Sequence, residues 1–151
     1  MTDREIYEQV REPLMRFAAS LVGRDAAHDL VADAVTSTIA RRRLSDMENP
    51  QAYLMQAVLN RARSSGRSRA REQHALSKLN TQVSAPESEV ADPRVVETVA
   101  SLPVQQRAAV FLVYWEDMTP SEAAELMGVR PATLRRYLHL AREKLRSHLD
   151  E

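Results

Sequence analysis

Arg135, Arg136 and His139 lie in a proline-initiated run, PATLRRYLHLAREKLR, whose leucines recur at helical spacing. Arginine carries a planar fork of donors that matches the N7 and O6 acceptors of guanine and the oxygens of phosphate. With Leu134 and Leu138 turned to a core, Arg135 and Arg136 face outward and His139 lies one turn beyond Arg135. Thr133 stands near the helix start, where a hydroxyl and the free amides of the first turn suit a phosphate. A second group, Asn60, Arg61, Arg63, Ser64, Ser65 and Arg67, continues a helix whose apolar positions (Tyr53, Leu54, Ala57, Val58) lie upstream. Such a helix holds phosphates along one side while nearby loop groups bind unstacked bases. Either group, taken alone, also reads as a solvated helix face.

What precedes the first group separates these readings. Thr119-Pro120-Ser121-Glu122 is a helix start: a threonine cap, proline at the first helical position, and a glutamate placed to reach back to the cap amide. The short helix ends at Gly128, which supplies a left-handed turn, and Pro131 opens the next helix, which runs to about Leu149. Ala123 and Ala124 let two helices approach closely, and Leu126, Val129, Leu134 and Leu138 are the expected core. Short helix, glycine turn and a helix with basic residues in its first two turns make a helix-turn-helix. A helical hairpin with a charged surface shares the pattern; the placement of the arginines favours DNA.

The rest of the chain also reads as helix. Ile6, Val10, Leu14, Phe17 and Leu21 form one stripe, ending near Gly23. Asp25 is placed to cap a second helix with the stripe Leu30, Val31, Ala34, Val35, Thr38 and Ile39, leaving Asp29, Asp33 and Ser37 on another face. Asn49-Pro50 starts a third helix. The stretch 73–93 is polar, holds Pro86 and Pro93 and lacks a sustained stripe, so it reads as a linker. Beyond it, Leu102-Pro103 opens a helix with Val104, Ala108, Phe111, Leu112 and Trp115 inward. The expectation is an all-α fold of two small helical domains, 1–72 and 94–151, joined by a flexible linker, the second a helix-turn-helix.

Composition bounds the alternatives. The 151 residues hold 21 basic and 21 acidic side chains, 44% hydrophobic residues and no cysteine. That excludes disulfides, thiolate metal sites and a cysteine nucleophile. The apolar run Ala108–Trp115 is too short for a bilayer, and the opening MTDREIYEQVRE lacks the apolar core of a signal peptide, so a cytoplasmic protein without membrane insertion is expected. His28, His74, His139 and His148 show no metal-ligand spacing, and no phosphate-cradling glycine loop or nucleophile–base set appears. No cofactor, metal or enzymatic activity is expected. The zero net charge hides segregation: residues 61–80 carry six basic groups and one acidic, residues 130–146 likewise, and the remainder is acidic.

These residues together resemble the extracytoplasmic-function sigma factors, the compact two-domain branch of the sigma-70 family of bacterial transcription initiation factors. The resemblance rests on LVGRDAAHDLVADAV and NPQAYLMQAVLNRARSSGR in the first half, and on LPVQQRAAVFLVYWEDMTPSEAAELMGVRPATLRRYLHLAREKLR in the second. It implies that Asp29, Leu30 and Asp33 bind the clamp helices of the largest subunit of core RNA polymerase, with the flap of the second-largest subunit as a further contact. It implies that the Asn49 loop and the helix through Asn60, Arg61, Arg63, Ser64 and Arg67 melt and read the −10 promoter element. It implies that Arg130, Thr133, Arg135, Arg136 and His139 serve the −35 element, and that an anti-sigma factor is a further partner. The alternative is a free-standing helix-turn-helix regulator, which leaves the basic residues 61–71 without a role.

Overall fold

A computed structural model describes the backbone of residues 1–76 and 92–149 and the side chains of 1–64 and 92–149. Most of the linker read over 73–93, and the side chains of Ser65 and Arg67, therefore lie outside the described residues. The described elements are all helical: α1 (Asp3–Val22), α2 (Arg24–Arg41), a 3-10 turn (Leu44–Asp46), α3 (Pro50–Leu76), α4 (Pro93–Ser101), α5 (Val104–Val110), a π-helical turn (Phe111–Trp115), α6 (Pro120–Met127) and α7 (Pro131–Leu149).

Thr2 caps α1, its hydroxyl accepting from the amide of Glu5 at 3.2 Å, and the stripe Ile6, Val10, Leu14, Phe17 and Leu21 is buried as its spacing requires. Gly23, at φ 90°, is the whole connection to α2, a conformation that side chains rarely adopt. Because α2 begins at Arg24, Asp25 sits in its first turn and is not its cap. Leu30, Val31, Ala34, Val35 and Thr38 are buried, the Thr38 hydroxyl donating to the Ala34 carbonyl at 2.8 Å. Ile39, expected inside, is 41% exposed: it stands in the last turn of α2, which ends at Arg41.

Asn49 and Pro50 start α3 as expected, with Asn49 Oδ1 accepting from the Ala52 amide at 3.1 Å. Leu54, Met55, Val58, Leu59 and Ala62 pack inward, while Tyr53 stays 41% exposed under the Arg42 guanidinium, 5.5 Å from its ring centre. The helix reaches Leu76, beyond the expected start of the linker at 73; Gln73, His74, Ala75 and Leu76 include no glycine or proline to stop it.

In the second half α7 packs against α4, α5 and α6. After α5 the backbone widens: the Glu116 amide bonds to the Phe111 carbonyl at 3.1 Å and the Met118 amide to the Leu112 carbonyl at 3.0 Å. The wider turn re-phases the side chains that follow. Trp115, expected inward, is therefore 36% exposed, with its ring stacked on Phe111 at 6.4 Å. Val104, also expected inward, opens α5 and is only half-buried.

The halves meet where α1 and α3 pack against α5 and α6. Phe17 and Phe111 face each other with ring centres 5.7 Å apart, and Arg16 pairs with Glu116 at 3.5 Å. The last turn of α1 has no basic residue of its own. Arg107 of α5 supplies one, donating to the Leu21 carbonyl and, at 2.9 and 3.2 Å, to the Leu102 carbonyl. Burial pulls the Arg107 pKa below its ordinary value.

Candidate nucleic-acid interface

The turn that presents α7 is held by reciprocal bonds. The Thr119 hydroxyl accepts from the Glu122 amide at 3.1 Å, and the Glu122 carboxylate accepts from the Thr119 amide at 3.2 Å. Gly128 closes α6 at φ 69° and ψ 32°, its amide reaching the Ala124 and Glu125 carbonyls. A Cβ on Gly128 would lie 3.3 Å from Gln56 Nε2, so the turn also sits tightly against α3. Ala123, Ala124, Leu126, Met127, Leu134, Leu138 and Ala141 are buried beneath it. Sequence reasoning named most of this core and missed Met127 and Ala141.

That packing fixes what α7 shows to solvent. Arg130, Arg135, Arg136 and His139 are exposed and Thr133 is half-buried. The expected set is therefore on one accessible surface at the start of a helix whose opposite side is locked into the core. His139 has a partner that sequence reasoning did not name: Nε2 lies 3.2 Å from the Glu143 carboxylate, an i,i+4 pairing legible in the sequence.

In the first half α2 and α3 enclose an open groove of about 610 Å³. Leu30, Asp33 and Arg41 line it from α2, and Tyr53, Asn60, Arg61 and Ser64 line it from α3. Residues expected to touch polymerase and residues expected to touch the −10 element thus share one concavity. Asp29 is exposed on α2 outside it. Asn49 is exposed with its side-chain oxygen engaged in capping α3.

Arg63 stands apart from the groove. In the amide orientation of Gln105 that satisfies all its neighbours, its oxygen accepts from Arg63 Nε at 3.0 Å and Nη2 at 2.7 Å, while its nitrogen meets the Tyr137 hydroxyl. Nothing in the local sequence announces this contact, which joins residues of α3, α5 and α7. Among the described residues no group of three or more His, Asp or Glu is placed to hold a metal ion, and no helix is long and apolar enough to cross a membrane.

Comparison with known proteins adds three findings. A family model described as sigma-70, region 4, matches residues 94–145, the segment from the start of α4 to near the end of α7. The RNA polymerase sigma-E factors of Streptomyces antibioticus and Streptomyces coelicolor are 28% and 29% identical to the chain over 150 and 152 residues, covering 97% and 96% of it and 83% and 86% of their own lengths. Among solved structures, the sigma factor RpoE from Bartonella quintana, in complex with the anti-sigma factor NepR, superposes with a TM-score of 0.75 at 24% identity, covering 97% of this chain and 96% of that one.

Proposed function

We infer how this chain works from its membership of the sigma-70 family, to whose extracytoplasmic-function branch it belongs. It binds core RNA polymerase and directs it to promoters through −10 and −35 elements. The family is non-enzymatic, and in our reading the chain contributes binding and positioning while the polymerase does the chemistry. It acts in the cytoplasm, where polymerase and promoters are, and an anti-sigma factor is its third partner.

The start of α7 enters the major groove of the −35 element. Arg135 and Arg136 read base edges, each good bidentate arginine–guanine pair contributing ~1–3 kcal/mol of discrimination. His139 extends the reading surface by one turn, and Arg130 and Thr133 hold flanking phosphates. The α2–α3 groove is the −10 site: Asn60, Arg61 and Ser64 line it, and Arg63, Arg67 and the Asn49 loop complete the single-strand track. Asp29, Leu30 and Asp33 on α2 meet the clamp helices, and the second half meets the flap. The neutral total charge keeps counterion-driven binding to random sequence modest, so both basic faces act together only when polymerase aligns them.

The observation that carries this reading is the capped, glycine-turned pair α6–α7 with Arg135 and Arg136 exposed on it, inside the segment matched to sigma-70 region 4. The experiment is transcription in vitro with core enzyme, followed by sequencing of the transcript starts. A shared pair of upstream elements is the expected result, and failure to form a stable complex with core sinks the reading.

A further inference from the structure

We propose that Glu143 sets the hydrogen-bonding pattern with which His139 meets the −35 element, making His139 a reader of amino-bearing bases. This rests on the functional reading above and adds to it the base chemistry of one position. Residues 130–146 hold six basic side chains and one acid, Glu143. A carboxylate beside DNA is opposed by the phosphates, so it is costly there unless it serves a neighbour. That neighbour is His139, whose Nε2 lies 3.2 Å from Glu143 Oε1. The two side chains are 66% and 60% exposed, and a pair so open to water adds little to helix stability. Among the described residues Arg135, Arg136 and Arg142 form no ion pair, so the one carboxylate of this stretch is spent on the histidine.

The pairing decides which ring nitrogen carries hydrogen. A carboxylate only accepts, so Nε2 donates to it, and in the neutral ring Nδ1 is left as an acceptor. In the major groove adenine N6 and cytosine N4 are donors, whereas guanine N7 and O6 and thymine O4 are acceptors. Nδ1 therefore matches adenine or cytosine and opposes guanine or thymine. Every base pair carries one amino and one keto group on this edge, so the contact selects the orientation of a pair, not its type. Arg135 and Arg136 ask for guanine, and the next turn of the same helix asks for the opposite edge. The placement suits this. His139 stands eight residues past Pro131, about 12 Å along α7 at ~1.5 Å per residue, in a groove about 12 Å wide. Glu143 is a further turn on, at the groove's rim. Helix side chains lean toward the N-terminus, so its carboxylate reaches back to the ring.

The test uses holoenzyme assembled from core polymerase and the full chain, transcribing a promoter pool randomised over the −35 element, with the transcribed templates sequenced. One position is expected to favour A and C over G and T by about threefold to tenfold, the range of one neutral hydrogen bond. His139→Ala removes that preference and so identifies the position; if it changes no position, the reading role of His139 is overturned. Glu143→Ala removes the same preference, while affinity for the whole pool rises because a repelled charge is gone. Glu143→Gln loses the charge equally but keeps the preference, because its amide oxygen still accepts from Nε2. Unaltered preference in Glu143→Ala means that Glu143 acts through charge alone and overturns its positioning role. A guanine preference at the identified position overturns the assignment of Nδ1 as the acceptor. Templates with purine in place of adenine there lack only the N6 amino group. They lose their advantage with the wild-type chain, and full retention of it overturns the contact. A wild-type pool without preference anywhere in the −35 element is a separate failure, that of α7 as the reading helix. Both side chains are exposed on a helix held by Leu138 and Ala141, so equal helical content by circular dichroism is expected of all three variants.

Discussion

Arg107 of α5 donates to the carbonyl of Leu21, 86 residues earlier, at the end of a helix that carries no basic residue in its own last turn. One guanidinium completes the first half of the molecule from within the second. Hydrogen bonds from charged donors contribute about 1.5–3 kcal/mol each, and their loss here leaves the carbonyls of Leu21 and Leu102 without this donor. Arg107→Met keeps most of the stem and removes the charge. It lowers global stability by about 2 kcal/mol, a fall in Tm of roughly 4–8 °C for a chain of this size. A thermal melt followed by circular dichroism measures it, and an unchanged Tm refutes the contact.

Gly128 has a narrower job. At φ 69° an L side chain costs ~1–2 kcal/mol, and the added Cβ meets Gln56 Nε2 at 3.3 Å. Gly128→Ala is therefore expected to destabilise by about that amount in urea denaturation, and Gly128→Asn by less, because asparagine tolerates the left-handed region. Equal stability of all three proteins contradicts the turn.

Arg135→Ala with Arg136→Ala leaves the fold intact, since both side chains are exposed on a helix secured by Leu134 and Leu138. Initiation that depends on the −35 element is lost, and binding to core polymerase is retained. A footprint over the −35 site with the double variant excludes this helix as its reader.

Asp33 faces the α2–α3 groove and is exposed. Asp33→Arg reverses a charge on the proposed clamp-facing surface and is expected to weaken association with core by about tenfold, or ~1.4 kcal/mol. Titration of labelled protein into core enzyme reads this directly. Unchanged affinity moves the polymerase surface elsewhere.

Elements with a local physical cause were legible from the residues alone. The stripe from Ile6 to Leu21, the Asn49-Pro50 start and the Thr119–Glu122 capping box each contain their own instructions within one or two turns. Misreadings arose where a neighbour or a backbone irregularity decides. Trp115 keeps helical phase in the sequence, but the π-helical turn rotates it to the surface. Asp25 is a good cap residue displaced by Gly23, whose unusual backbone angles let α2 begin two residues sooner. The exposed set on α7 was readable because amphipathic spacing sorts inside from outside. The partnership of Arg63 with Gln105 was not, because residues separated by 42 positions meet only through tertiary packing. Arg107 likewise reads as an ordinary helix-surface arginine until α1 is seen to end beside it.

Trp115 is the single tryptophan of the chain. Its indole lies nearly parallel to Phe111, the ring that in turn faces Phe17 across the junction of the halves. The π-helical turn has thus installed an intrinsic fluorophore one ring away from the seam. Any change at the seam alters the polarity and quenching around that ring stack, so emission wavelength and lifetime report on it in unlabelled, unmodified protein. Stopped-flow mixing with core enzyme, watched at the tryptophan band, then reads whether the seam responds to binding and on what timescale.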